Sequence, residues 1–138
     1  MGQRKIFVDT NILMDIVFNR EGVEASKKVM GLHMSEDGAV RVYTSMLSIV
    51  TVSYFVRRKY GQEEVRRLLK NLSRGCNIMG RPDLSLIDAV RPNSSPDFED
   101  AIQISCAEAN LCDVIVTRNI ADYKGYTWIQ VMSPEELA

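Results

Sequence analysis

Nowhere in the 138-residue chain does an apolar run approach the roughly 20 residues that a membrane-spanning helix requires. No apolar signal-peptide core precedes the first strand either. Met-Gly-Gln-Arg-Lys leads straight into it, so a cytoplasmic protein with no membrane partner is expected. Gly2 lacks the Ser or Thr at position six that N-myristoylation needs, since Ile6 stands there. The cysteines, Cys76, Cys106 and Cys112, are odd in number and lack C-x-x-C spacing. Neither a disulfide framework nor a zinc site is indicated, and a reducing compartment fits. The one histidine, His33, has no carboxylate or cysteine at ligand spacing and reads as structural or exposed. Neither G-x-G-x-x-G nor G-x-x-x-x-G-K followed by Ser or Thr occurs, which removes the common phosphate cradles of nucleotide-binding modules. A net charge of −1 provides no bulk polycation for nucleic acid. Repeats, low-complexity tracts and long linkers are missing too, so residues 1–138 are expected to form one domain with a real core.

What is present is organised around Lys5 to Asp15. Ile6 to Val8 is an apolar run too short for a helix and suited to a buried strand. It stops at a carboxylate, Asp9. Thr10 and Asn11 come next, with side-chain oxygens able to cap a helix beginning near Ile12. A carboxylate at the carboxyl end of a strand in an open α/β sheet stands where ligands bind. The strand itself does not need it. The plainer alternative is that Asp9 only helps to cap the helix.

Downstream, Ile12–Phe18 is expected as a short helix and Val23–Met34 as a second. Ala39–Thr44 alternates apolar and polar residues as a strand does. Ser45–Tyr60 has the β-branched content of a strand but the length of a helix. Its Arg57-Arg58-Lys59 ending before Gly61 resembles a helix C-terminus, and a largely buried helix is expected. Gln62–Leu72 carries an apolar stripe at Val65, Leu68, Leu69 and Leu72. Asn77–Met79 reads as a short strand, Pro82–Ala89 as a helix and Arg91–Pro96 as a loop. Asp97–Asn110 is a helix, Val114–Val116 a strand and Thr127–Val131 the last strand, with Ser133 and Pro134 opening a final helix. Strands alternating with helices imply an α/β fold, with a mostly parallel central sheet and helices on both faces. Between Arg57 and Arg74, seven basic residues stand against Glu63 and Glu64. Such a run is more often a solvated helix face than a phosphate track, although it can guide a polyanion locally.

Several polar residues converge if the strands are parallel. Asp9 ends the first strand and Ser45 succeeds the second. Asp97 and Asp100 open a helix three residues apart, and Thr117, Asn119 and Asp122 come after the strand Val114–Val116. Carboxylates gathered at one edge repel one another unless a cation neutralises them. A hard cation such as Mg2+ takes a few carboxylate oxygens plus waters, and such a site can activate water for phosphodiester cleavage. Plainer roles stand beside these. Asp97 or Asp100 suits a helix start, Asp122 a turn, Asn119 an N-cap, Ser45 the cap of the third helix, and Asp15 a peripheral acid.

The stretches VDTNILMD, YTSMLSIVTVSYFVRRKYG and PDFEDAIQISCAEANLCDVIVTRNIADY, with a last strand and SPEEL after them, resemble the PIN domain family over essentially the whole chain. The resemblance implies a three-layer α/β/α, Rossmann-like fold. It also implies a Mg2+- or Mn2+-dependent endoribonuclease acting on RNA, of the kind that serves as the VapC-type toxin of a toxin–antitoxin pair. Carried over by motif, Asp9 matches the first metal-binding acid and Asp100 the third, with Asp97 as neighbour; the fourth falls on Asn119 or Asp122. Asp9 and Asp100 are thus expected to hold the metal, and Asp97 and Asp122 to complete the charge. Thr10, Asn11, Ser45, Thr117 and Asn119 would support the pocket, with Arg118 a candidate for RNA phosphates. A cognate antitoxin and a homodimer are implied as partners. One departure matters: the family's second acid, in the third helix, falls here on Thr51, a neutral residue. Asp97 is expected to make up the charge. The alternative is a catalytically weak or inactive module on the same fold that binds RNA or protein. A phosphoacceptor receiver domain would need a lysine after the last strand, and Val131-Met132-Ser133-Pro134 has none.

Overall fold

The computed structural model describes residues 2–79, 90–91 and 94–138. The helix expected over Pro82–Ala89, and Pro92 and Asn93 of the expected loop, lie outside them. The first strand, β1 (Arg4–Val8), runs into helix α1 (Thr10–Val17), then α2 (Val23–Gly31) and a 3-10 turn at Leu32–Met34. Next come β2 (Val40–Ser45), α3 (Met46–Tyr60), α4 (Gln62–Gly75) and β3 (Asn77–Met79). The last part holds α5 (Phe98–Ala109), β4 (Val114–Val116), α6 (Ile120–Tyr123), β5 (Gln130–Met132) and α7 (Pro134–Leu137).

The strands form one five-stranded sheet in the order β3-β2-β1-β4-β5, and every pairing is parallel. Parallel neighbours need crossover connections, and helices supply them. β1 lies at the centre, paired to β2 on one side and β4 on the other. Both of its faces are covered, which explains a continuous apolar run instead of an alternating one. Ile6 and Val8 pack on one face with Ile12, Val29, Val42 and Val52, while Phe7 packs on the other with Ile104, Ala107, Ile115 and Tyr123. The sheet is thus the middle of three layers, as expected. None of the helices among the described residues is long and apolar enough to cross a membrane.

Several boundaries differ from the sequence expectation, each for a local reason. The cap of α1 is Asp9 itself, whose Oδ1 accepts the Thr10 backbone N–H at 2.6 Å, so the helix begins two residues early. Helix α2 gives way to the 3-10 turn after Gly31, where the His33 Nδ1 accepts the Val42 N–H at 3.0 Å and ties the turn to β2. That is the structural role expected of His33. The last strand starts late because the Thr127 hydroxyl accepts the Ile129 N–H at 3.2 Å and donates to Glu108 at 2.8 Å, which holds a turn there. Helix α3 is a helix, but not a largely buried one. Ile49, Val52 and Val56 face the core, whereas Met46, Val50, Tyr54, Phe55 and Tyr60 are exposed.

Candidate active site

β1, β2 and β4 end side by side, so the segments leaving them share one edge of the sheet. Asp9 stands at the middle of that edge and is 4 % exposed. One carboxylate oxygen receives the Thr10 N–H; the other receives the Thr117 hydroxyl at 3.0 Å. Thr117 is itself fixed, since its Oγ1 accepts the Asn119 N–H at 3.0 Å. Burial pushes the Asp9 carboxyl above its ordinary range, while donors from Thr117, Tyr123, the Thr10 backbone and Gln103 offset part of that penalty.

Behind Asp9 lies a wholly polar buried network. Thr10 Oγ1 sits 2.8 Å from Ser48 Oγ, and Gln103 Nε2 donates to Thr10 Oγ1 at 3.1 Å and to Ser48 Oγ at 2.6 Å. Ser45 Oγ accepts the Ser48 N–H at 3.0 Å and donates to Gln103 Oε1. Ser45 therefore caps α3 and also ties it to α5. Gln103 is fully buried, yet its carbonyl oxygen and its amide are both bonded, as a buried amide requires.

In front of Asp9 a cleft of about 550 Å³ opens, with Asn11, Thr51, Asp97, Asp100, Asn119 and Asp122 on its walls. Asp97 caps α5 by accepting the Asp100 N–H at 2.9 Å. Asp100 is pushed up to about 6, chiefly by desolvation and then by the charges of Asp97, Asp9 and Asp122. Thr10 reaches the cleft from its first helical position, so ten of the eleven expected site residues lie in the cleft or directly behind it.

Arg118 is the exception. Its Nε donates to Asp15 at 2.6 Å, and its guanidinium also reaches Glu135 at 2.5 Å and the Gly22 carbonyl at 2.9 Å. It is consumed by structural contacts and is not held out for phosphates. Asp15 stays outside the cleft, peripheral to it as expected, and is a buried ion-pair centre, 2 % exposed, that also accepts from Ser26 at 2.9 Å.

Three further residues in the cleft, and one buried behind it, escape a reading of the sequence. Glu99 joins the wall from the first turn of α5, its carboxyl raised by desolvation and by Asp9 and Asp97. Arg20 brings a cation to the rim, 3.5 Å from Asn11 Oδ1 and 3.7 Å from Asp15 Oδ1. Phe55 supplies an aromatic ring. Tyr123 is fully buried, and its hydroxyl makes no hydrogen bond of ordinary geometry. Burial first, and then the charges of Asp9 and Asp100 beside it, push its ionisation up. The signal for Tyr123 is the aromatic that closes the motif T-R-N-x-x-D-aromatic; Glu99 stands next to Asp100 in plain view.

The donor set is all hard oxygen, which suits Mg2+ or Mn2+ and excludes a soft-metal site. Among the described residues no three His, Cys, Asp or Glu side chains come close enough to form a metal cage. Mg2+ does not need one, because it is commonly held by one or two carboxylates and keeps several waters. Asp9 and Asp100, both pushed up by burial with no cation among the groups acting on them, fit such a hydrated cation as its carboxylates.

A family model described as PIN domain matches residues 5–121. A search of curated proteins finds no match. Among solved structures, a toxin–antitoxin complex from Klebsiella pneumoniae is similar at a TM-score of 0.69 with 21% identity, over 94% of this chain and 97% of that one. VapBC-1 from nontypeable Haemophilus influenzae gives 0.70 with 16% identity, over 95% and 98%. The sarcin-ricin loop cleaving toxin VapC20 of Mycobacterium tuberculosis gives 0.57 with 14% identity, over 80% and 86%.

Proposed function

The chain belongs to the PIN domain family, and from that premise we propose that it is a Mg2+- or Mn2+-dependent endoribonuclease, the toxin of a toxin–antitoxin pair. The observation that carries this reading is Asp9. It is buried at the centre of the sheet edge, surrounded by neutral donors and faced by further acids across an open cleft. Such a charge is costly without a cation and useful with one. When bound, the divalent ion would lower the pKa of a water and neutralise charge on the phosphate. Asp9 and Asp100 would hold it. Thr117 and the Thr10 N–H fix the Asp9 oxygens, so its geometry is set before any ligand arrives. Asp97, Asp122 and Glu99 add negative charge around the cleft and orient water. Glu99 takes up part of what Thr51 does not supply, sharing with Asp97 the role expected of that residue alone.

RNA cleavage by the purified protein with Mn2+ or Mg2+ tests the reading. Asp9→Asn is expected to lower kcat by about 100-fold or more, a loss typical of removing one preorganised electrostatic contact. Cleavage by Asp9→Asn at the wild-type rate sinks the assignment. Thr51 favours a second reading, a non-catalytic module. Calorimetric titration separates the two, since absence of Mn2+ binding at millimolar metal supports the module.

The toxin reading also implies an antitoxin. An apolar cleft of about 420 Å³ between α1, α2 and α4, lined by Leu13, Ile16, Val17, Met30, Leu68 and Leu72, supports it. A groove of this kind takes the apolar face of an amphipathic helix. Two of the similar structures are described as toxin–antitoxin or VapBC assemblies.

A further inference from the structure

We propose that Gln103 is a positioning residue of the acidic cleft: it fixes where the acids of α5 stand relative to Asp9, and so sets the spacing that a divalent cation meets. This rests on the metal-dependent reading and extends it to a residue behind the cleft. The two sets of acids belong to different layers. Asp9 caps α1, which packs with α3 on one face of the sheet, whereas α5 packs on the other. Asp97, Glu99 and Asp100 stand at the start of α5. Gln103 comes one turn after Asp100 and Glu99, at i+3 and i+4, on the same side of the helix. Its amide meets the opposite layer where β1 and β2 end. Nε2 donates to Thr10 Oγ1 of α1 at 3.1 Å and to Ser48 Oγ of α3 at 2.6 Å. Oε1 accepts from Ser45, the cap of α3. These bonds tie α5 to both helices of the other layer.

Packing alone does not call for an amide here. A fully buried glutamine loses more hydration than an apolar side chain and is tolerated only when its bonds are made. Ile104 and Ala107, nearby on α5, hold the helix to the sheet by apolar contact. Apolar contact is non-directional and lets a helix slide or turn slightly. Three hydrogen bonds to three different residues do not. A force also acts on this joint. The charge of Asp9 bears on both Glu99 and Asp100, so without a cation the start of α5 is pushed away from Asp9. Gln103 resists that push and brings no charge of its own, which leaves the excess negative charge for a cation to neutralise. Metal ligands have to be held to about 0.5 Å, and a directional joint one turn behind the acids supplies that restraint.

The test measures Mn2+ affinity by calorimetry on the full, metal-free chain, together with its Tm. Gln103→Met keeps the length of the side chain and loses all three bonds. At a temperature where it is fully folded, it is expected to bind Mn2+ about tenfold more weakly, as for other residues that orient metal ligands. Ser48→Ala removes one acceptor of the amide and should weaken binding less. Ile104→Val, which thins the packing of the same helix, should lower Tm and leave Mn2+ affinity unchanged. Wild-type affinity in Gln103→Met, whatever its Tm, overturns the proposal. So does an equal loss of affinity in Ile104→Val, since general loosening then accounts for both. If Gln103→Met does not fold, Ser48→Ala decides, and unchanged affinity there overturns the proposal. If the unmutated chain binds Mn2+ and Gln103→Met binds it equally well, only the positioning role fails. If the unmutated chain binds no Mn2+ at millimolar metal, the metal-dependent reading fails with it.

Discussion

Asp9 and Asp15 stand six residues apart on one strand–helix unit, and both are buried, at 4 % and 2 % exposure. Their surroundings are opposite. Asp15 meets Arg118 at 2.6 Å, Arg20 at 3.7 Å and the Ser26 hydroxyl at 2.9 Å. The groups acting on Asp9 are neutral donors, and the charges that face it across the cleft are those of Asp100 and Glu99. One acid has its desolvation compensated within the fold; the other does not. A buried charge whose compensation lies outside the chain points to a ligand, whereas a fully paired one points to architecture.

The contrast predicts opposite effects of the same chemical change. Asp15→Asn takes the buried charge partner from Arg118, leaving it only the exposed Glu135, and should cost about 3 kcal/mol, which lowers Tm by about 10 °C for a domain of this size. Asp9→Asn retains an acceptor for the Thr10 N–H, and the Thr117 hydroxyl can turn to accept from the amide. Metal-free Tm should therefore hold or rise, and an equal loss in both variants by thermal denaturation would erase the distinction. A smaller effect is expected of Thr117→Val, which deletes the donor on Asp9 Oδ2 together with the acceptor of the Asn119 N–H. Metal affinity should fall about tenfold with little change of fold, as for other partners of metal ligands, and calorimetry reads it directly.

The smallest effect concerns pH. Asp100 titrates at about 6 in the fold, raised by burial and then by Asp97, against 3.8 when unfolded. The folded protein therefore binds more protons between these values, so the stability Asp100 contributes is complete below pH 4 and is lost as pH rises through 6. Its solvent exposure screens the effect to about 1 kcal/mol. In EDTA, Tm should be higher at pH 5 than at pH 7.5, and millimolar Mn2+ should reverse the order. A metal-free Tm that only climbs over this range contradicts the acidic cleft as described.

Much of the fold is readable in the sequence because it rests on local signals. The short apolar runs, the Ser133-Pro134 helix start and the Arg57-Arg58-Lys59-Gly61 helix end each depend on neighbours along the chain. The site is readable as far as it depends on the residues just beyond each strand. The part that sequence hides is long-range. Gln103 bonds Thr10 across 93 residues, and Arg118 meets Asp15 across 103. No spacing rule separates an arginine held for phosphate from one already paired. Thr10 has the look of a surface cap, yet it points inward, because Asp9 performs the capping. The aromatic side of α3 looks like core in sequence and is not, since hydrophobicity alone does not say which face a ring occupies.

The central position of β1 has a consequence for time. The hydroxyl that orients Asp9 is made 108 residues after it, just beyond the strand that completes β1's second edge. At a synthesis rate of about 5–20 residues per second, a nascent chain carries the acid for several seconds before it carries the site. The acid stays without its orienting hydroxyl throughout that interval, and any partner captured earlier on α1 and α2 would meet a chain whose cleft has not yet formed.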